Sequence, residues 1–390
     1  MQYNFDETID RRGSDCVKLE KMKAVFGRDD LLPLWVADMD FKSPPAIVDA
    51  LKERVNHEIY GYTIAPDAYY RSITGWLERR HDWQVEREAV CFVPGVVKGF
   101  AFAIDQFTGK GDKVIIQPPV YHPFSLVTNA LGREVIHNPL LLKEGRYRMD
   151  LEGLRDILTH QRCKMLILCN PHNPGGRGWT REELRDLAEI CHEYGVFVVS
   201  DEIHADLTLP GYQHIPFACA SEKALSNSLT LMAPSKTFNI AGIVSSFAVI
   251  PDKTIREQYL SYLEPRELNQ GTLFAYTATT AAYNQCEDWL DEMLAYVQEN
   301  IDYVDQFLKE QIPQIRVMQP EASFLVWLDC RGLGLSRSEL VKLFVVGAGL
   351  ALNDGTMFGP GGEGFMRLNV GTPRSNLVKA LNKLKKAIDG

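Results

Sequence analysis

Apolar residues in the middle of this chain fall into short continuous runs, and the stretches between them carry apolar residues at every third or fourth position. The runs are Cys91-Phe92-Val93, Val114-Ile115-Ile116, Met165-Leu166-Ile167-Leu168, Val196-Phe197-Val198-Val199, Ser228-Leu229-Thr230-Leu231-Met232 and Val244-Ser245-Ser246-Phe247-Ala248-Val249-Ile250. Runs of this kind read as strands buried on both faces, and the amphipathic stretches as helices. From about residue 91 to 250 the alternation predicts a mostly parallel sheet wrapped by helices. One helix is marked at both ends, by Thr180 three residues ahead of Glu183 as a capping box and by Gly195 after its last turn. Upstream, Pro44-Pro45 opens a helical run with Ile47, Val48, Leu51 and Val55 on one face. Pro66 opens a second through about His81, and Tyr60-Gly61-Tyr62 makes a turn between them.

Residues 1–43 show little periodicity, yet they end in Leu34-Trp35-Val36-Ala37-Asp38-Met39-Asp40-Phe41, an apolar stretch that predicts packing at a specific place. Residues 252–310 read as largely helical, with a long run from about Trp289 to Lys309. The C-terminal part mixes strands near Phe324–Leu328 and Phe365–Asn369 with helices at about 336–346 and 374–388, which predicts a small α+β domain. No internal repeat or low-complexity tract is visible.

With 390 residues, 45% hydrophobic and 24% charged, the chain is long enough for a sizeable core and for two domains or one large one. A formal net charge of -9 without a basic stripe argues against a nucleic-acid partner. No run approaches the roughly 18 consecutive apolar residues of a membrane span. The N-terminus lacks a charged region followed by an apolar core, so a cytoplasmic location is expected. The 8 cysteines are dispersed, with no Cys-x-x-Cys pair and no matched histidine spacing. They read as buried reduced thiols rather than metal ligands or disulfides.

Candidate chemistry collects at the ends of the predicted strands. Lys236, in Ala233-Pro234-Ser235-Lys236-Thr237-Phe238-Asn239, lies in a tight, partly apolar turn, where desolvation lowers an amine's pKa and makes an imine-forming nucleophile. Pro94-Gly95-Val96-Val97-Lys98-Gly99 passes from strand through glycine into a helix, whose first amides are free for a phosphate; the alternative is a plain chain reversal. Tyr121, in Gln117-Pro118-Pro119-Val120-Tyr121-His122-Pro123, can lie over a flat aromatic ring or simply edge the core. In Cys169-Asn170-Pro171-His172-Asn173-Pro174-Gly175-Gly176, Asn170 can satisfy its own turn, and Asn173 is the better placed donor to a ligand oxygen. In Ser200-Asp201-Glu202-Ile203-His204, a carboxylate at a buried strand end needs a cationic partner to stay ionised, unless Asp201 merely caps a helix beside a surface histidine. An amine for an imine, a carboxylate for a pyridinium, an amide for a phenolic oxygen, a ring to stack and a helix start for phosphate together describe pyridoxal phosphate.

On these motifs, together with Trp35 to Phe41, Tyr60-Gly61-Tyr62 and Arg367-Leu368-Asn369, nearly the whole chain resembles the fold-type I pyridoxal-phosphate enzymes related to aminotransferases. Within them it resembles the MalY/PatB-type carbon-sulfur lyases. The resemblance implies an α/β fold divided into an N-terminal segment, 1–45, a large cofactor-binding domain, 46–285, and a small C-terminal domain, 286–390, which the N-terminal segment joins. It implies that Lys236 holds the cofactor as an imine and moves the substrate's α proton. It implies Asp201 on the pyridine nitrogen, Asn173 on the phenolic oxygen, and Tyr121 on the ring face. The backbone at Gly95, Val96 and Val97, with the Ser235 hydroxyl, would bind phosphate. Tyr62 would reach the phosphate of a neighbouring subunit, making a homodimer the minimum active unit. Arg367 would clamp the substrate carboxylate, with Ala37 and Asn173 beside it. Two positions depart from the general aminotransferase pattern. His204 stands where many relatives carry tyrosine, and Ala233 where aminotransferases often have serine. His204 and the Trp35–Phe41 stretch resemble the lyases.

The activity so implied is β-elimination from L-cystathionine or a related cysteine S-conjugate, giving a thiol, pyruvate and ammonia. No motif supplies a second arginine for a dicarboxylate side chain. Transamination uses the same residues and stays open as the rival. A cofactor-binding regulator that docks a protein partner is the alternative of another class, though no linear feature marks a docking face.

Overall fold

The protein is described over residues 2–390 by a computed structural model. Its central sheet has seven strands, β1 (Val90–Val93), β2 (Lys113–Ile116), β3 (Glu134–His137), β4 (Cys163–Cys169), β5 (Phe197–Asp201), β6 (Ser228–Met232) and β7 (Ser246–Val249), in the order β1-β7-β6-β5-β4-β2-β3. Strands β6, β5, β4, β2 and β3 run parallel, and β7 runs antiparallel to both of its neighbours. The continuous apolar runs arise because both faces are covered. Leu166 and Leu168 of β4 pack with Leu184 and Leu187, while Met165 and Ile167 between them pack with Phe100 and Ile104 on the other side.

The main helices are α1 (Pro45–Asn56), α2 (Asp67–His81), α3 (Val96–Phe107), α4 (Arg181–Glu193), α5 (Leu273–Gln285), α6 (Glu287–Gln311) and α7 (Arg374–Asp389). The Thr180–Glu183 capping box forms in full at the start of α4. A second sheet, all antiparallel, is built from β8 (Arg316–Met318), β9 (Leu325–Asp329), β10 (Asn353–Asp354) and β11 (Phe365–Asn369) in the order β8-β9-β11-β10. The N-terminal segment reaches this C-terminal part, where Leu32–Pro33 pairs in parallel with Leu350–Ala351.

Three local expectations change. The lysine turn is one short helical turn, Pro234–Thr237, with proline at its start. The apolar run from Val244 begins its strand only at Ser246, because Val244 has φ 58° and closes a preceding turn. Strand β3 and the hairpin of Leu141–Lys143 with Arg146–Arg148 were not legible in the pattern, since each is short and half exposed. All 8 cysteines are free thiols, and all but Cys219 are buried. Among the described residues no helix is long and apolar enough to cross a membrane, and no cluster of three ligating side chains is placed to hold a metal.

The parallel strands end, and β7 begins, along one edge of the central sheet. Such an edge is where open α/β sheets place their ligands.

Candidate active site

A cavity of about 310 Å³ opens at that edge. It is lined by Lys236, Asp201, Asn173, Tyr121, His204, Ser235, Ala37 and the start of α3 at Gly95, Val96 and Val97. Residues predicted from separate strand ends therefore share one space. Arg367, on β11, meets it through Asn173, whose Oδ1 accepts from the guanidinium at 3.0 Å. Tyr62 does not meet it. That side chain is fully exposed on the segment between α1 and α2, so a single chain does not bring Tyr62 to the site.

Lys236 is presented by the helical turn that follows β6. Its Nζ donates to the Ala37 carbonyl at 2.5 Å, and its remaining surface faces the cavity. Enclosure by protein, opposed by Asp38, lowers the amine to about 8. Asp201 is the last residue of β5. Burial raises its carboxyl to about 7, although the Ile203 amide donates to it at 3.1 Å. His204 is buried, with no partner on Nδ1, and burial lowers its pKa to about 3, so the ring is neutral. Tyr121 packs edge-on against Phe124 at 5.8 Å, and burial lifts its phenol to about 12.

Arg367 is buried without a carboxylate. It donates to Asn173 Oδ1, to the Trp35 carbonyl at 3.1 Å and to Asn353 Oδ1 at 2.7 Å, its guanidinium lies 4.9 Å from the Phe358 ring centre, and its Nε has no partner. Burial lowers even this group to about 10. A buried guanidinium held by neutral oxygens is prepared for an incoming carboxylate. Its contact with Asn173 also turns that residue's Nδ2 away from Arg367, free to donate elsewhere.

The other end of the cavity is the start of α3. Gly95 caps it with φ 113°, a conformation that side chains rarely adopt. The amides of the first turn have no partner inside the helix, and their residues line the same cavity as Ser235. The Trp35–Phe41 strap borders the site, where Ala37 lines the cavity and the Trp35 and Ala37 carbonyls accept from Arg367 and Lys236. Asn239 bonds its backbone at Met39 and Phe41, and Asn369 bonds the carbonyls of Val36 and Asp38, both at 2.7 Å.

Residues 29–384 match the model of the family described as aminotransferase class I and II. The chain belongs to that family. It is similar to the cystathionine beta-lyase PatB of Bacillus subtilis (strain 168), with 46% identity over 385 residues, 99% of this chain and 100% of PatB. It is also similar in structure to cystalysin from Treponema denticola, which contains a pyridoxal 5'-phosphate cofactor. There the TM-score is 0.96 at 33% identity, covering 100% of this chain and 99% of that one. The PLP-bound C-S lyase from Staphylococcus hominis superposes with a TM-score of 0.93 at 33% identity and the same coverage. The fold is the fold-type I fold of pyridoxal-phosphate enzymes.

Pyridoxal phosphate fits what this family member presents. A carboxylate that burial strains at Asp201, unpaired amides at a glycine-capped helix start, a neutral amide donor at Asn173 and an amine of lowered proton affinity at Lys236 are the complements of its ring nitrogen, phosphate, phenolic oxygen and aldehyde. The sequence reading missed Asn353, Phe358 and Cys169 around this space, and Ala241, Val244, Ser245 and Ser246 along its wall. Asn353 sits on a strand of two residues, too short for any pattern. Asn369 had a signal, for it shares a strand face with Arg367 two positions earlier.

Proposed function

We propose that this protein is a pyridoxal-phosphate-dependent carbon-sulfur lyase that acts on L-cystathionine or a related cysteine S-conjugate, releasing a thiol, pyruvate and ammonia. The observation that carries the reading is the unpaired Arg367 guanidinium beside the enclosed Lys236 amine, which together take an α-amino acid by its carboxylate and its α proton. Arg367 reaches the cavity through Asn173, and no arginine is among the described residues that line it, so a side chain without a second carboxylate is favoured. The lyase names of full-length relatives support elimination, and the family description makes transamination the second reading.

Bound pyridoxal phosphate supplies an electron-accepting ring that makes the substrate's α proton removable. Arg367 clamps the substrate carboxylate in two parallel hydrogen bonds, in exchange for its neutral oxygens. Lys236 Nζ, near 8, takes the α proton from the substrate carbon. Asp201 would hold the proton on the ring nitrogen, and Asn173 Nδ2 would donate to the phenolic oxygen. Tyr121 would cover the ring face. The Val96 and Val97 amides, with Ser235, would hold the phosphate. The thiolate then departs from the β carbon, and hydrolysis of the released enamine gives pyruvate and ammonia.

Tyr62 belongs, in this reading, to the site of a second copy. Its exposed segment also presents Ile59 and Ile64, at 66% and 82% exposure, an apolar surface suited to a homodimer contact. Residues 1–45 and 286–390 form the smaller unit around the larger 46–285, and the enzyme works in the cytoplasm.

The test supplies cofactor-saturated protein with L-cystathionine and no keto acid, and follows pyruvate and free thiol over many turnovers. Sustained, equal release of both is expected. One stoichiometric conversion that stalls until a keto acid is added would establish an aminotransferase instead.

A further inference from the structure

Two carboxylates next to the cavity-lining residues face into the protein instead of the cavity. Glu202 and Asp206 are 1% and 4% exposed. Glu202 Oε1 accepts from Ser200 Oγ at 2.7 Å, the Phe217 amide at 2.8 Å and Asn170 Nδ2 at 3.3 Å, while its Oε2 meets His214 Nε2 at 2.7 Å. Asp206 Oδ1 meets Trp76 Nε1 and His81 Nε2, each at 2.8 Å, and its Oδ2 accepts from Thr237 Oγ1 at 2.8 Å. The two imidazoles touch edge to face at 5.3 Å, joining both hubs into one network.

The network's members are spaced along the chain in a telling way. Glu202 follows Asp201, Asp206 stands two residues after His204, Thr237 follows Lys236, and Asn170 precedes Asn173 by three. Four groups that face the cavity, Asp201, His204, Lys236 and Asn173, are thus each one to three residues from one that is fastened behind it. Burying a carboxylate is costly, and apolar residues of equal volume are often as stable or more so. What a carboxylate adds is direction, because its lone pairs fix the donors around it.

We propose that Glu202 and Asp206 are positioning residues for the reaction. Asp206, through Thr237, fixes the turn that carries Lys236; Glu202 fixes Asp201 and, through Asn170, the loop that carries Asn173. The inference rests on the pyridoxal-phosphate reading of the cavity. Displacing a reacting group by about 1 Å can lower a rate by roughly 100-fold, so loss of one fastening need not unfold the protein to be felt.

Thr237→Val removes the hydroxyl that reaches Asp206, and Thr237→Ser keeps it. Both are compared with the parent holoenzyme in thermal midpoint, in kcat and KM for thioether cleavage, and in the pH midpoint of the absorbance given by the cofactor bound to lysine. The valine variant is expected to lose about tenfold or more in kcat with KM within about twofold. Its absorbance midpoint shifts, and serine restores both. Glu202→Gln is expected to shift the same midpoint, since it alters the neighbour of Asp201. Should the valine variant not be recovered folded, Asp206→Asn, which keeps the side chain's shape, reads the same contact. Variants that keep the parent kcat and absorbance midpoint and lose only thermal stability would overturn the proposal. The absorbance needs only bound cofactor, so a holoenzyme that proves to be no lyase would sink the functional reading and leave the positioning one still measurable.

Discussion

Two groups of enclosed charges lie close together in this molecule and are built in opposite ways. Under the Trp35–Phe41 strap, Arg11 and Lys18 face Asp38 and Asp40 in four contacts of 2.8 to 2.9 Å, and Lys18 is only 1% exposed. In the cavity, Lys236 has only a backbone carbonyl, Arg367 only neutral oxygens and Asp201 only a backbone amide. The consequences run in opposite directions. Against the burial of its carboxyl, Arg11 and Lys18 hold Asp38 below the usual carboxylate range. In the cavity burial prevails, moving Lys236 down to about 8, Arg367 down to about 10 and Asp201 up to about 7. A buried charge with its partner present is architecture; one without a partner marks where a ligand supplies it.

The contrast can be broken by substitution. The largest effect belongs to Lys236→Ala, which should lower pyruvate release by more than about 1,000-fold and abolish the absorbance of the cofactor–lysine bond. Retained turnover would remove Lys236 from the chemistry. Arg367→Lys keeps the charge but not the planar fork, and steady-state kinetics should show kcat/KM lower by about 100-fold, mostly through KM. An unchanged KM would mean that the carboxylate binds elsewhere. On the matched side, Lys18→Met leaves two carboxylates with one cation. Urea unfolding should reveal a loss of roughly 3 kcal/mol, with kcat within about twofold of the parent. A fall in kcat at unchanged stability would show that this cluster, too, serves the reaction.

Legibility in the sequence followed the same division. Lys236, Asp201, Asn173 and Gly95 could be found because each stands just after an apolar run, and a run that long fixes where its strand ends. The parallel sheet was legible for the same reason. Arg367 follows no such landmark and emerged only from the family resemblance. Tyr62 could not be placed by one chain at all. The roles of Glu202 and Asp206 stayed hidden because their partners are remote: His81 lies 125 positions from Asp206. Strand β3, at the sheet edge and half exposed, lacks the continuous run that betrays its neighbours.

The contrast is tested most directly by the pH dependence of thermal stability, with and without cofactor. Without it, and between about pH 4 and 7, the native protein keeps a proton on Asp201 that the unfolded chain has released, so this group's contribution falls as pH rises. From about 8 up to its ordinary value of 10.5, the unfolded chain keeps a proton on Lys236 that the native protein has released, and the contribution recovers with rising pH. Between about 7 and 8 both groups are charged, and neither is in a salt bridge among the described residues. The cofactor-free parent should therefore lose thermal midpoint relative to its Asp201→Asn variant as pH rises from 4 to 7, and saturating pyridoxal phosphate should stabilise the parent more than the variant near pH 7.5. Parallel curves for parent and variant, and equal stabilisation by the cofactor, would contradict the assignment of the unpaired charges to its site.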